Sequence, residues 1–118
     1  MEDFEEGMMR DILEEKFNFI KSKRPNDYKI ILGLFYKLVT NIIGGEENKK
    51  KFGKINKSNP LISSKILSIP ELEECFCVLG FEEGTGENDN YLVYNSENER
   101  TLTLCCEILQ NLLNDAFN

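Results

Sequence analysis

The amino-acid sequence predicts an α+β protein, mainly α, with a small sheet late in the chain, and three observations carry that expectation. Tyr28, Ile31, Leu32, Phe35, Val39, Ile42 and Ile43 fall at helical spacing and stop at Gly44-Gly45. Helix-start signals recur at Asn59-Pro60, Ser68–Glu71 and Ser96–Glu99. The run "YLVY" alternates in the manner of a strand and follows a polar, glycine-rich turn after Phe81.

Taken in order, the first helix has apolar positions at Met8, Ile12, Leu13, Phe17 and Ile20 and is stopped by Pro25. It is expected to pack on the rest, so that 1–25 forms an N-terminal helix and 26–118 the main domain. Asn26 or Asp27 is positioned to cap the second helix, from Tyr28. The lysine-rich stretch that follows has only Phe52 and Ile55 as large apolar residues before Asn59 and reads as a loop or one short strand. Asn59-Pro60 starts a helix of about two turns with Ile62, Ile66 and Leu67 inward. The capping box Ser68–Glu71 then launches a helix burying Leu72, Cys75, Phe76 and Leu79 before Gly80. A hairpin joins Phe81 to Tyr91, and the box Ser96–Glu99 launches a last helix burying Leu102, Cys105, Leu109, Leu112 and Leu113.

With 118 residues, 41% hydrophobic and 30% charged, the chain has the size and composition of one globular domain able to bury a core. A net charge of -7 disfavours a general nucleic-acid binder, because counterion release needs a broad basic face. The acidic start "MEDFEE" lacks the character of an export signal, and "IILGLFYKLV" is too short to cross a bilayer. The four cysteines are therefore expected as reduced thiols, in the cytosol or nucleus.

Histidine is absent, which removes the Cys-His and Ser-His arrangements of nucleophilic catalysis and the commonest nitrogen ligand for metals. The acids between Glu71 and Glu99 cluster at helix starts and in the turn, as a solvated surface does. Cys75 and Cys77, and Cys105 and Cys106, point to different helix faces and do not converge on a metal. "GGEEN" and "GTGEN" lack the lysine of a phosphate loop. The chain is expected to use no metal and no cofactor and to be no enzyme.

The remaining anomaly is "NKKKFGKINKSNPLISSKIL", residues 48 to 67, which holds six lysines and no acid in an acidic protein. Phe52, Ile55, Asn59 and Pro60 interleave with these charges, a mixture suited to a short peptide with an apolar anchor and acidic flanks.

From about Tyr28 to Leu113, and above all in "TNIIGGEENKKKFGKINKSNPLISSKILSIPELEECFCVLGFEE", the chain resembles the PUB domain found in peptide N-glycanase and in UBA- or UBX-containing proteins. The likeness lies in the Asn-Ile-Ile helix end, the basic aromatic segment, Asn-Pro, the helix ending before Pro, and "LGFEE", in that order. It implies several helices packed on a small three-stranded antiparallel sheet, with Phe52–Asn56 as its first strand, paired with strands near Phe81 and Tyr91. The family resemblance further implies a non-catalytic adaptor that binds the C-terminal tail of the AAA ATPase valosin-containing protein in ubiquitin-proteasome or ER-associated degradation work, a reading that tolerates the monomer expected of this chain.

Carried over by position, the resemblance implies a peptide pocket of Asn41, Lys51, Phe52, Ile55, Asn56, Asn59, Pro60 and Leu61, with Lys50, Lys54 and Lys57 as a charged rim. Asn41 and Asn59 are expected to bond the peptide backbone, Phe52 to pack on its apolar anchor and Lys51 to attract its acidic flank. The chain departs from the family pattern at Phe52, where many relatives have tyrosine, and at Asn56, where arginine is common. The other reading of the residues is a structural or dimerising helical module whose lysines only solubilise it.

Overall fold

The computed structural model describes residues 4–96 and 99–115. In chain order the elements are α1 (Phe4–Lys23), α2 (Tyr28–Ile42), α3 (Glu46–Phe52), β1 (Lys54–Asn56), α4 (Pro60–Ile62, continued as a π-helical segment over Ser63–Leu67), α5 (Pro70–Leu79), β2 (Phe81–Glu83), β3 (Tyr91–Tyr94) and α6 (Arg100–Asp115). A 3-10 turn at Gly86–Asn88 lies between β2 and β3. The fold is thus α+β, mainly α: six helices packed on a three-stranded antiparallel sheet. Among the described residues, no helix is long and apolar enough to cross a membrane.

α2 buries the expected stripe, Tyr28 through Ile42, while Ile43 is half-buried. Its start is held by backbone bonds, Tyr28 N donating to Arg24 O at 2.9 Å, and the Asp27 side chain makes no capping bond. α1 packs on α6, α5 and α2 through Leu13, Phe17 and Ile20, with Met9 half-buried beside them. Met8 and Ile12, expected inward, are exposed; the buried face is centred on Leu13 and Phe17, which turns those two residues outward.

An unbroken series of rings crosses the core. Phe17 and Phe35 lie 5.8 Å apart between centroids, Phe35 and Phe76 4.9 Å, Phe76 and Phe81 5.0 Å, and Phe81 and Tyr94 5.3 Å. The contacts run from α1 through α2 and α5 into the sheet, so the layers share one apolar interior.

The sheet order is β1-β3-β2, with Ile55 opposite Leu92 and Phe81 opposite Tyr94. The expected hairpin joins β2 and β3. β1 pairs only with β3, and it spans Lys54–Asn56, not Phe52–Asn56. Phe52 instead ends α3, a helix absent from the sequence reading, whose Glu46 and Glu47 open it and whose Lys49, Lys50 and Lys51 close it. That charge order complements the helix dipole at both ends.

Two helix starts depart from expectation. Pro70 occupies the first turn of α5 with Ile69 as its cap, and Ser68 Oγ donates backward to Ser64 O at 2.6 Å, so Ser68 closes the preceding segment. Glu97 and Asn98 of the second capping box lie outside the described residues; α6 begins at Arg100 and buries Leu102, Cys105 and Leu109, with Leu112 and Leu113 half-buried. Gly80 ends α5 in the left-handed region at φ 104°, where a Cβ would come within 2.6 Å of Ser96 Cβ.

Candidate functional site

The basic stretch wraps one edge of the sheet. α3 packs on α2 and β1, and Gly53 lets it pass directly into the strand. Gly53 N donates to Lys49 O at 2.8 Å and Tyr94 N donates to Gly53 O at 2.7 Å. A Cβ at residue 53 would lie 2.3 Å from Lys49 O, so only glycine fits this junction. Phe52 is therefore left at the end of α3 with its ring partly in solvent, and Lys51 Nζ sits 5.3 Å from the ring centroid.

Beyond β1, Asn56 builds the turn into α4. Its Oδ1 accepts from Ser58 N and from Asn90 Nδ2, both at 2.9 Å, and Ser58 Oγ donates to Asn90 Oδ1 at 2.8 Å. Lys57 N donates to Asn90 O at 2.9 Å. Asn56, the position at which the family pattern led to an expectation of arginine, is thus a turn-forming amide bound to the end of β3.

Asn59 caps α4: its Oδ1 accepts from Leu61 N at 3.0 Å and Ile62 N at 3.2 Å. With the oxygen occupied, the donor side of the Asn59 amide is Nδ2. Pro60 takes the first helical position, and it and Leu61 are exposed. Asn41 is half-buried on the last turn of α2. Ile55 differs from the other candidates: only 3% exposed and opposite Leu92, it belongs to the core and does not line a surface pocket.

The lysines divide into two groups. Lys57 forms an ion pair with Glu83, Lys54 Nζ donates to Asn88 Oδ1 at 3.0 Å, and Lys49 reaches Glu46 at 3.4 Å and lies 5.8 Å from the Tyr94 ring centroid. Lys50 and Lys51 make no ion pair among the described residues. Lys50 also lines a cavity of about 300 Å³ with Glu46, Lys49, Tyr94, Asn95 and Ser96. The positive field around the end of α3 therefore comes mainly from Lys50, Lys51 and Lys54, since the amide partner of Lys54 carries no charge. Asn90 was the residue the sequence reading missed. Its contribution depends on the β1–β3 register, which no local pattern in the chain displays.

Nothing nearby resembles an activated nucleophile. Burial pushes the Cys75 thiol up to about 12 and the Cys106 thiol up to about 11, and holds Cys105 well above its ordinary value. Among the described residues, no three acidic or cysteine side chains are grouped to hold a metal.

Phe52 with Lys51 at the end of α3, and Asn59 and Leu61 at the start of α4, are thus exposed polar and apolar groups with no catalytic arrangement among them. The PUB domain family model matches residues 25–107, and the chain belongs to that family. PUB domains mediate protein-protein interaction and are generally non-catalytic. No curated protein and no solved structure matches the chain.

Proposed function

We propose that this PUB domain is an adaptor that binds the C-terminal tail of valosin-containing protein, and so links that ATPase to ubiquitin-proteasome or ER-associated degradation work in the cytosol or nucleus. The observation that carries the reading is the Phe52 ring, exposed at the end of α3 with the Lys51 ammonium 5.3 Å from its centroid. An apolar tail residue packs on that ring, and an acidic neighbour in the tail is attracted by Lys51 and Lys50. Asn59 Nδ2 donates to a tail carbonyl, and Leu61 extends the apolar contact.

The Asn56 turn has a direct consequence for this reading. Without the guanidinium common in relatives there is no bidentate partner for a carboxylate, and two mobile ammonium groups take over its charge. Such a site gives affinity in the micromolar range, about -7 to -8 kcal/mol, with a marked dependence on salt.

Pulldown from lysate of the host organism tests the proposal. The domain captures the intact ATPase, Phe52→Ala captures much less, and ATPase lacking its last ten or so residues is not captured. Equal capture by parent and Phe52→Ala, or retention of the tailless ATPase, would overturn it.

A further inference from the structure

We infer that the outer face of α1 is a self-association surface on which a second copy of this chain docks antiparallel, in addition to the peptide site. Seven large apolar residues are exposed among the described residues, and four of them lie on this one helix. Phe4 is 82% exposed, Met8 49%, Ile12 37% and Phe19 44%. Phe4, Met8 and Ile12 recur every fourth residue, and Phe19 follows seven beyond Ile12, so all four share one stripe about 22 Å long. Leu13, Phe17 and Ile20 bury the opposite side of the helix. α1 is therefore apolar on two faces, and the described residues cover only one of them. The helix lies before residues 25–107, the segment that the family model matches.

The charge pattern selects a second copy as occupant. From Glu5 to Glu15, α1 carries Glu5, Asp11, Glu14 and Glu15 besides Arg10 and Glu6, the latter paired with Arg100, whereas the stretch from Lys16 to Arg24 carries Lys21, Lys23 and Arg24 besides Lys16, which is paired with Glu74, and no acid. A parallel pair sets acid on acid and base on base. A twofold antiparallel pair sets the acidic half of each helix on the basic half of the other, making the surface complementary to itself.

The register follows from the stripe. Placing Met8 beside Phe19 of the second copy sets Phe4 near Lys23 of that copy and brings Glu5 within one turn of it. Glu5 and Lys23 project from the same flank of the helix, and like flanks meet in an antiparallel pair. Lys23 Nζ already lies 5.7 Å from the Phe19 ring centroid, at the end of the stripe where Glu5 of the second copy arrives. A single helix pair of this length falls at the small end of the interface size range, so the dimer is weak and depends on concentration.

Sedimentation equilibrium at low salt from about 10 µM to about 1 mM tests this on the whole chain, with no ATPase peptide present, so its outcome is separate from that of the proposed function. The average mass rises toward two chains. Met8→Glu and Ile12→Glu, both at exposed positions, weaken dimerisation about tenfold or more while the thermal melting of the dilute chain is retained. Glu5→Lys and Lys23→Glu each weaken it, and mixing these two variants restores association through two Glu-Lys contacts. A single-chain mass throughout, or dimerisation of Ile12→Glu equal to the parent's, overturns the proposal. A mixture that associates no better than either variant alone overturns the antiparallel arrangement.

Discussion

Asn90 Nδ2 donates to Asn56 Oδ1 at 2.9 Å, fastening the end of β3 to the turn that leads from β1 into α4. Because that oxygen also accepts from Ser58 N, one side chain fixes both the turn and its place on the sheet. Asn56→Ala is expected to cost about 0.5–1.5 kcal/mol in urea unfolding. Asn90→Ala should cost a similar amount, and the double variant less than the two together, since the pair shares a bond. Strict additivity would show that the two amides act independently.

Gly53 sets the position of the Phe52 ring. A methyl group there meets backbone oxygen, not a flexible side chain, so α3 and β1 must separate. Gly53→Ala should lower stability by about 2 kcal/mol or more and weaken peptide binding as well, whereas Gly7→Ala, in open space on α1, should do neither. Denaturant midpoints of the two variants provide the comparison.

Lys51 contributes charge. Reversing it with Lys51→Glu should weaken tail binding most at low salt, and the gap to the parent should narrow as salt rises through about 0.5 M. Lys57→Glu should have a smaller effect on binding, because Lys57 is already paired with Glu83. Affinities measured over a salt series would separate these two roles.

The buried thiols make stability fall in alkali. Cys75 and Cys106 keep their protons in the folded chain up to about 12 and about 11, against an ordinary thiol value of 9.0. Between these values the unfolded chain loses protons that the folded chain retains. The stabilisation is therefore complete below pH 9 and is lost as pH rises toward 11 to 12. Urea midpoints should drop across that window, and drop less in Cys75→Ala when each variant is compared with its own value at neutral pH. At pH 8 a thiol reagent should label the exposed Cys77 quickly and the other three only on unfolding.

How far the sequence revealed these features depended on how local their causes are. α2 was legible because its apolar stripe contrasts with its polar face over 15 residues, and the Asn59 cap because Asn-Pro is a local signal. α3 was hidden: it has seven residues and no buried side chain, and end charges together with the bond from Asn48 Nδ2 to Ile43 O stand in for a hydrophobic face. The inward orientation of Ile55 and the Asn56–Asn90 bond depend on register with a strand more than thirty residues away. Met8 and Ile12 looked inward because α1 has apolar residues on both faces, and only its neighbours decide which face is covered.

Whether the Phe52 ring anchors an ATPase tail is decided by titrating the labelled domain with a peptide of the last ten or so tail residues and following its amide shifts. Saturable shifts are expected at Lys51, Phe52, Asn59 and Leu61, with a dissociation constant in the micromolar range and loss of saturation in Phe52→Ala with the fold intact. An absence of shifts around Phe52 at millimolar peptide, or equal affinity in Phe52→Ala, would contradict it.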